Sequence, residues 1–171
     1  MKISGDNGYV RDVKQGDIMQ LASNPRSVDL RHSKYLGWDN YQEHVLETFY
    51  SSRRSLSFCF KDDTLVGCIG VHDSPHERVG GIWALGSPDS IDVVSFKGKL
   101  QKTYGTLSAI KGAFEFMKIS RECFDWMYGE EYDHLVNIVE NKNKLGIRWL
   151  KFLGGKISKR DDNFSQVTFS K

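Results

Sequence analysis

The segment from Tyr132 to Val139 constrains the fold of this chain more than any other part of the sequence. At its centre are two adjacent apolar pairs, Leu135-Val136 and Ile138-Val139, so apolar side chains would lie on both faces of a strand. Strands of this kind usually lie inside sheets that are covered on both sides. The sequence therefore predicts a central sheet with helices packed against both faces.

Helical patterns lie on either side of this strand. Apolar residues share one face from about Ala113 to Tyr128, which predicts a helix before the strand. After the strand, Asn141 and Asn143 are suitable helix caps, and apolar residues recur at helical spacing from Leu145 to Leu153. Gly154-Gly155 then gives the usual helix end. This half of the chain is predicted to be a β-α unit that follows a helix.

The N-terminal part is predicted to begin with a strand over Tyr9–Val13 and two helices. Asp17 would cap the first helix, which Asn24-Pro25 would end. A capping box formed by Asp39 and Gln42 would begin the second helix, which runs to about Ser51.

Alternating apolar residues predict a hairpin over 56–71, followed by a strand over 79–85 and a final hairpin over 157–169. Gly67 and Gly70 interrupt the second strand and indicate a bulge or a close backbone approach. The predicted order is β-α-α-β-β-β-α-β-α-β. Such an order gives an α/β fold with a mixed sheet, and we expect one domain over residues 1–171.

Composition excludes several classes of protein. No run approaches the roughly 20 apolar residues of a membrane helix, and the N-terminus lacks a secretory signal, so a cytoplasmic protein is expected. The net charge of +2 gives no case for a membrane or a nucleic acid, and the lysines over 97–118 predict a solvated face. The three cysteines lie in apolar segments without metal-site spacing, so no metal site is predicted.

Two segments near the C-terminus resemble the signature of the GNAT acyltransferase family. These are Val136–Asn143, a strand that ends in asparagines, and Ile147–Gly154, a helix that ends in Trp-Leu-Lys-Phe-Leu-Gly. The predicted element order is also similar to the GNAT fold. The resemblance implies a central mixed sheet flanked by helices and acetyl-CoA as the cofactor.

A closer resemblance is to the GNAT-like internal virion protein A-like proteins of T7-like podophages. The matching positions are Arg26 with Asp29, Gly37, the Ile82–Gly86 strand end, and Asn137 through Gly154. Together these matches extend over about residues 9–157. This resemblance implies a bacteriophage protein of the host cytoplasm or the virion, with a phage or host protein as a further partner.

The GNAT resemblance implies a set of cofactor-binding residues. Main-chain groups of Ile82, Trp83, Ala84, Leu85 and Gly86 would pair with the pantetheine of acyl-CoA, and Asn141 would assist them. The phosphate loop would be 102–107, with Lys102 and Gly105 as its binding residues. This loop departs from the family motif because Leu107 stands where a small residue allows a phosphate to approach the backbone.

Candidate catalytic residues are polar side chains at turns and strand ends. His72 and Glu77 near the turn before the 79–85 strand, with His134, are candidates for the base that accepts a proton from the amine. The acid that GNAT enzymes use for the departing thiolate, a tyrosine of the last helix, falls on Leu150 here. Tyr132 is the candidate substitute, with Tyr128 as an alternative to it. The alternative for all of these residues is a structural role in turns and packing.

Two functions follow from these observations. The first is an acyl-CoA-dependent N-acetyltransferase with an amine substrate and a degenerate cofactor loop. The second is a catalytically inactive GNAT-like phage protein that acts in binding, virion assembly or host takeover. The departures at Leu107 and Leu150 favour the second function, whereas the predicted fold favours the first. Nucleic-acid binding through the lysines is a third, minor alternative.

Overall fold

The computed structural model of the chain describes residues 3–6, 8–87 and 106–171, and the side chains of 106–115 lie outside this description. The elements are β1 (Ile3–Ser4), β2 (Gly8–Asp12), α1 (Gln15–Ser23), α2 (Ser27–Tyr35), α3 (Tyr41–Tyr50), β3 (Ser52–Phe60), β4 (Leu65–Asp73), β5 (Val79–Gly86), α4 (Thr106–Tyr128), β6 (His134–Glu140), α5 (Lys144–Phe152), β7 (Lys156–Lys159) and β8 (Phe164–Ser170).

One eight-stranded sheet contains all of these strands, in the order β1-β2-β3-β4-β5-β6-β8-β7. Neighbouring strands are antiparallel except β5 and β6, which are parallel. The position of β6 between β5 and β8 confirms that the doubly apolar segment forms an interior strand. The parallel pair is joined by the chain segment that contains α4, as a parallel connection requires.

Two apolar clusters lie on opposite faces of this sheet. On one face, Ile18 and Val45 of α1 and α3 pack with Cys68 of β4. On the other face, α4 and α5 contribute Met127 and Leu150 to the larger cluster. The predicted fold class, a mixed sheet with helices on both faces, is confirmed.

The structure adds elements that the sequence patterns did not indicate. Helix α2 was missed because it has no apolar stripe, and its one buried residue is Ser33. The short strand β1 was also missed, and α4 begins at Thr106 rather than near Ala113. These additions leave the predicted order of the remaining elements intact.

Two predicted helix caps were wrong by a few residues. Asp17 lies inside the first turn of α1, where its carboxylate accepts a hydrogen bond from the Lys14 backbone N–H at 2.9 Å. The cap of α3 is Asn40 instead of Asp39, because the Asn40 side chain accepts the Glu43 N–H. Both differences reflect the choice between neighbouring acceptor side chains that offer similar chemistry.

Candidate functional site

A gap opens between β5 and β6 towards the carboxyl ends of both strands. Their parallel pairing is confined to Val79–Gly81 of β5 and His134–Val136 of β6. Beyond this point β5 stays paired with β4 as far as Gly86, while β6 follows β8 as far as Glu140. Among the described residues, the edge of β5 that faces β6 therefore makes no ladder pairs over residues 82–86.

A cavity of about 540 Å³ lies at this end of the sheet. Its apolar wall combines strand residues such as Phe58 and Val66 with Phe116 of α4 and Trp149 of α5. The more polar part of the lining comes from Arg26 and the first half of α2, and from Lys142 and Asn143 directly before α5. The lining residues are Pro25, Arg26, Ser27, Val28, Arg31, Phe58, Val66, Gly67, Cys68, Ile69, Ala84, Leu85, Gly86, Phe116, Lys142, Asn143, Leu145, Gly146 and Trp149.

Helix α2 is joined to the end of β6 by a bidentate ion pair. Arg31 donates from Nε to Oε1 of Glu140 at 2.8 Å and from Nη2 to Oε2 at 2.9 Å. The Glu140 side chain is only 8% exposed, whereas that of Arg31 is 53% exposed. Further along α2, Tyr35 stacks on Phe164 with ring centroids 3.7 Å apart. These contacts hold α2 against the β6–β8 end of the sheet.

The start of α2 carries an ion pair between Arg26 and Asp29, two of the positions that carry the family resemblance. Arg26 donates from Nε and Nη2 to the two carboxylate oxygens of Asp29, at 2.8 Å and 2.7 Å. The Arg26 backbone N–H also points to the Asp29 carboxylate, at 3.3 Å. This pair therefore fixes the first turn of the helix where it lines the cavity.

Helix α5 begins beside the cavity and is capped as the sequence suggested. The Asn143 side chain accepts the Gly146 N–H at 2.9 Å. Asn141 does not line the cavity, because its amide donates to the carbonyls of Asp161 and Asp162 and its oxygen accepts the Ser165 hydroxyl. The contribution of Asn141 to cofactor binding stays a prediction, and its observed side-chain contacts are with the β7–β8 turn and the start of β8.

The predicted pantetheine strand contributes only in part to the cavity wall. Ala84, Leu85 and Gly86 line the cavity. Ile82 is buried in the core, and the Trp83 indole N–H donates to the Ser52 hydroxyl at 2.7 Å on the opposite face of the sheet. The predicted phosphate-loop residues Lys102 and Gly105 lie outside the described residues.

The four predicted catalytic residues lie at the other end of β5 and β6, and none of them lines the cavity. Tyr132 is buried, and its hydroxyl donates to Oδ1 of Asp73 at 2.7 Å. His72 contacts the Asp73 carbonyl oxygen through Nδ1, and Nδ1 of His134 lies 3.1 Å from the Ser170 hydroxyl. Glu77 lies in an exposed turn. Their catalytic roles stay predictions.

Tyr132 and Cys68 have strongly perturbed pKa values. Burial, followed by the hydrogen bond to Asp73, raises the pKa of Tyr132 to about 12. Burial also raises the pKa of the Cys68 thiol beside the cavity to about 12, although the Ser57 hydroxyl contact opposes this shift. Both groups therefore stay protonated at neutral pH. Leu150, the position of the expected tyrosine, is buried in the core.

Sequence reasoning missed Arg31 and Lys142 as residues of the site. Arg31 lies in the helix that the patterns did not reveal. Lys142 lies within the GNAT-like segment 136–143, but its position at the cavity follows from the way β6 leads into α5. A charge beside an asparagine cap is common on helix surfaces, so no sequence pattern singles out Lys142.

Within the described residues, no group of three or more histidine, cysteine, aspartate or glutamate side chains could hold a metal ion. No helix in the same part of the chain is both long enough and apolar enough to cross a membrane.

The whole fold is similar to that of solved GNAT acetyltransferases. A GNAT-family acetyltransferase from Bacillus anthracis matches with a TM-score of 0.60 and 12% identity, covering 99% of this chain and 98% of that one. The ribosomal-protein-S5-alanine acetyltransferase of Vibrio fischeri matches with a TM-score of 0.57 and 11% identity, covering 99% and 96%. Campylobacter jejuni PseH, solved with acetyl coenzyme A, has a TM-score of 0.50 and 11% identity, covering 95% and 97%.

No protein-family model and no curated protein sequence matches the chain. At these low identities the similarity concerns the fold, and the fold is that of the GNAT acetyltransferases.

Proposed function

We propose that this chain is an acyl-CoA-dependent N-acyltransferase whose acyl-CoA site is the gap between β5 and β6. The observation that carries the proposal is the separation of these two parallel strands beyond Gly81 and Val136, directly beside a cavity. A volume of about 540 Å³ suits a small-molecule site, for which about 300–1,000 Å³ is usual. The likeness to GNAT structures supports the same reading.

The residues around the gap fit a pantetheine arm. The β5 backbone over 82–86 offers amide and carbonyl groups that β6 leaves unpaired, and these would bond the amides of the arm as an added strand would. Ala84 and Phe116 provide apolar surface beside them. Acyl-CoA would supply the acyl group: the amine nitrogen would bond to the acyl carbon, the bond from that carbon to sulfur would break, and CoA would leave as the thiol with the proton that the nitrogen loses. The chain's contribution is to orient the two reactants and to exclude water.

Calorimetric titration with acetyl-CoA, with free CoA in parallel, tests this site directly. We expect saturable binding at micromolar concentrations by the wild-type protein. Ala84→Phe should weaken the affinity at least tenfold, because the added ring would occupy the space beside the β5 backbone, and each factor of ten corresponds to about 1.4 kcal/mol. Binding by the variant at wild-type affinity would contradict a site in the gap.

Ser158→Phe provides the matched control for this experiment. It adds the same aromatic ring to an exposed position of β7, which is not part of the cavity lining. We expect wild-type affinity for acetyl-CoA. Unfolding in urea checks that both variants retain the fold, so a loss of binding by Ala84→Phe alone would locate the effect in the gap.

The alternative is a GNAT-fold protein that binds partners without transferring an acyl group. The observation that favours it is Leu150, whose buried side chain replaces the proton donor that the family resemblance leads one to expect. The resemblance to the phage internal virion protein A-like proteins supports a role in the host cytoplasm or the virion. Absence of acetyl-CoA binding at millimolar concentration would favour this alternative and direct the search to protein partners.

A further inference from the structure

Among the described residues, the charged side chains that line the cavity are all basic. Arg26, Arg31 and Lys142 line it, and no aspartate or glutamate is among the lining residues in the described part of the chain. Asp29 and Glu140 balance the two arginines through bidentate ion pairs. Lys142, which is exposed, therefore leaves the described part of the rim with a net charge of about one.

Arg31 is held in a geometry that leaves part of its guanidinium free. Glu140 engages Nε and Nη2, and Nη1 has no hydrogen-bond partner among the described residues. Glu140 is nearly inaccessible to solvent, whereas half of the Arg31 side chain is accessible. A buried carboxylate that fixes one edge of an arginine leaves the remaining N–H groups oriented for a second anion.

Resting on the proposed function, we propose that Arg31, positioned by Glu140 and assisted by Lys142, binds a carboxylate of the acyl acceptor. The acceptor is then an amine that also carries a carboxylate, as amino acids do. One carboxylate balances the net charge of the rim, whereas the several negative charges of CoA phosphates would exceed it. A polyamine would meet positive charge with no acidic partner among the described lining residues.

Matched acceptors test the proposal through the release of free thiol from acetyl-CoA. The panel contains L-alanine, L-methionine, L-phenylalanine and L-aspartate, the methyl esters of the same amino acids, and spermidine. We expect at least one free amino acid to be acetylated with a KM about 10- to 100-fold below that of its ester, as the loss of a charged hydrogen bond predicts. A preference for esters or spermidine overturns the proposal.

Variants of the ion pair distinguish acceptor binding from binding of CoA. Arg31→Gln should raise the KM of the free amino acid about 10- to 100-fold and leave the KM of its ester and the calorimetric affinity for acetyl-CoA unchanged. The double variant Arg31→Gln with Glu140→Gln avoids a stranded buried carboxylate and should behave in the same way. Glu140→Gln alone keeps Arg31 but weakens the contact that orients its guanidinium. This variant should raise the KM of the free amino acid less than Arg31→Gln does.

The failures of the two proposals differ. If the wild-type protein does not bind acetyl-CoA, the proposed function fails. If it binds acetyl-CoA but acetylates none of the carboxylate-bearing amines, only the acceptor proposal fails. A weaker affinity of Arg31→Gln for acetyl-CoA, with no change in the KM of the acceptor, would assign Arg31 to a CoA phosphate. That result would also overturn the acceptor proposal.

Discussion

Asp17→Asn is expected to lower the free energy of unfolding by about 3 kcal/mol at pH 7, because it breaks a nearly buried ion pair. The Asp17 side chain is 11% exposed and accepts two hydrogen bonds from Arg11, at 2.5 Å and 2.8 Å. It also accepts the Ser57 hydroxyl at 2.7 Å and the Lys14 N–H. An amide cannot balance the Arg11 charge or accept all of these donors. Urea unfolding measures the difference.

The effect of Asp17→Asn should depend on pH in a defined direction. Burial alone would raise the pKa of Asp17, but the hydrogen bonds from Arg11 and Ser57 outweigh it and lower the pKa to about 2 from an unfolded value of 3.8. The carboxylate therefore stabilises the fold fully above about pH 5. This stability, about 2 kcal/mol, is lost as the pH falls towards 2. The difference between wild type and variant should shrink over the same interval.

Asp162→Asn is the matched control for this prediction. Asp162 accepts a hydrogen bond from Lys159 at 2.8 Å, but its side chain is 92% exposed. Exposed pairs of this kind contribute about 0–1 kcal/mol, so the variant should unfold close to wild type at every pH. Equal losses of stability in the two variants would show that burial of the Asp17 network has no particular importance.

The sequence predicted the sheet well because its interior strands have strong local patterns. Apolar pairs marked β6, and alternating residues marked the hairpin of β3 and β4, so these elements could be assigned without tertiary information. Helix α2 was not predicted because it has no apolar stripe. Instead, the Arg31–Glu140 ion pair and the stack of Tyr35 on Phe164 hold it against the sheet. The spacing of apolar residues within a segment predicts only the face that this segment buries, and it does not predict contacts between charged or aromatic side chains from distant segments.

The candidate site was predicted less well because a site depends on where the strands separate. Ala84, Leu85 and Gly86, which the family resemblance assigned to cofactor binding, line the cavity, and their binding role stays a prediction. Sequence reasoning also selected polar residues such as His72 and His134, which belong to the opposite end of the same strands. Polar residues at the end of a strand do not indicate whether the gap between β5 and β6 lies at that end. The position of the gap depends on the pairing of these strands over only three residues of each. Arg31 and Glu140 are 109 positions apart, beyond any local motif.

Gly67→Ala is expected to lower the free energy of unfolding by about 3 kcal/mol, because a Cβ at this position would lie 2.5 Å from the Leu85 carbonyl oxygen. The obstacle is backbone, so β4 and β5 would have to separate where Gly67 pairs with Gly86. The register shift between Phe58 and Cys59 lies opposite the same glycine. The close approach predicted from the glycines of this strand is thus confirmed at Gly67.

The same substitution at Gly16 supplies the control, because a Cβ there would meet nothing within 4 Å and alanine favours the helix. Gly16→Ala should leave the free energy of unfolding unchanged or raise it by up to about 1 kcal/mol. Since Gly67 and Leu85 both line the cavity, Gly67→Ala should also weaken acetyl-CoA binding in the calorimeter, whereas Gly16→Ala should not. Wild-type stability of Gly67→Ala would mean that β5 can move away from β4 without cost. In that case the β4–β5 contact would not fix the position of the β5 backbone at the gap.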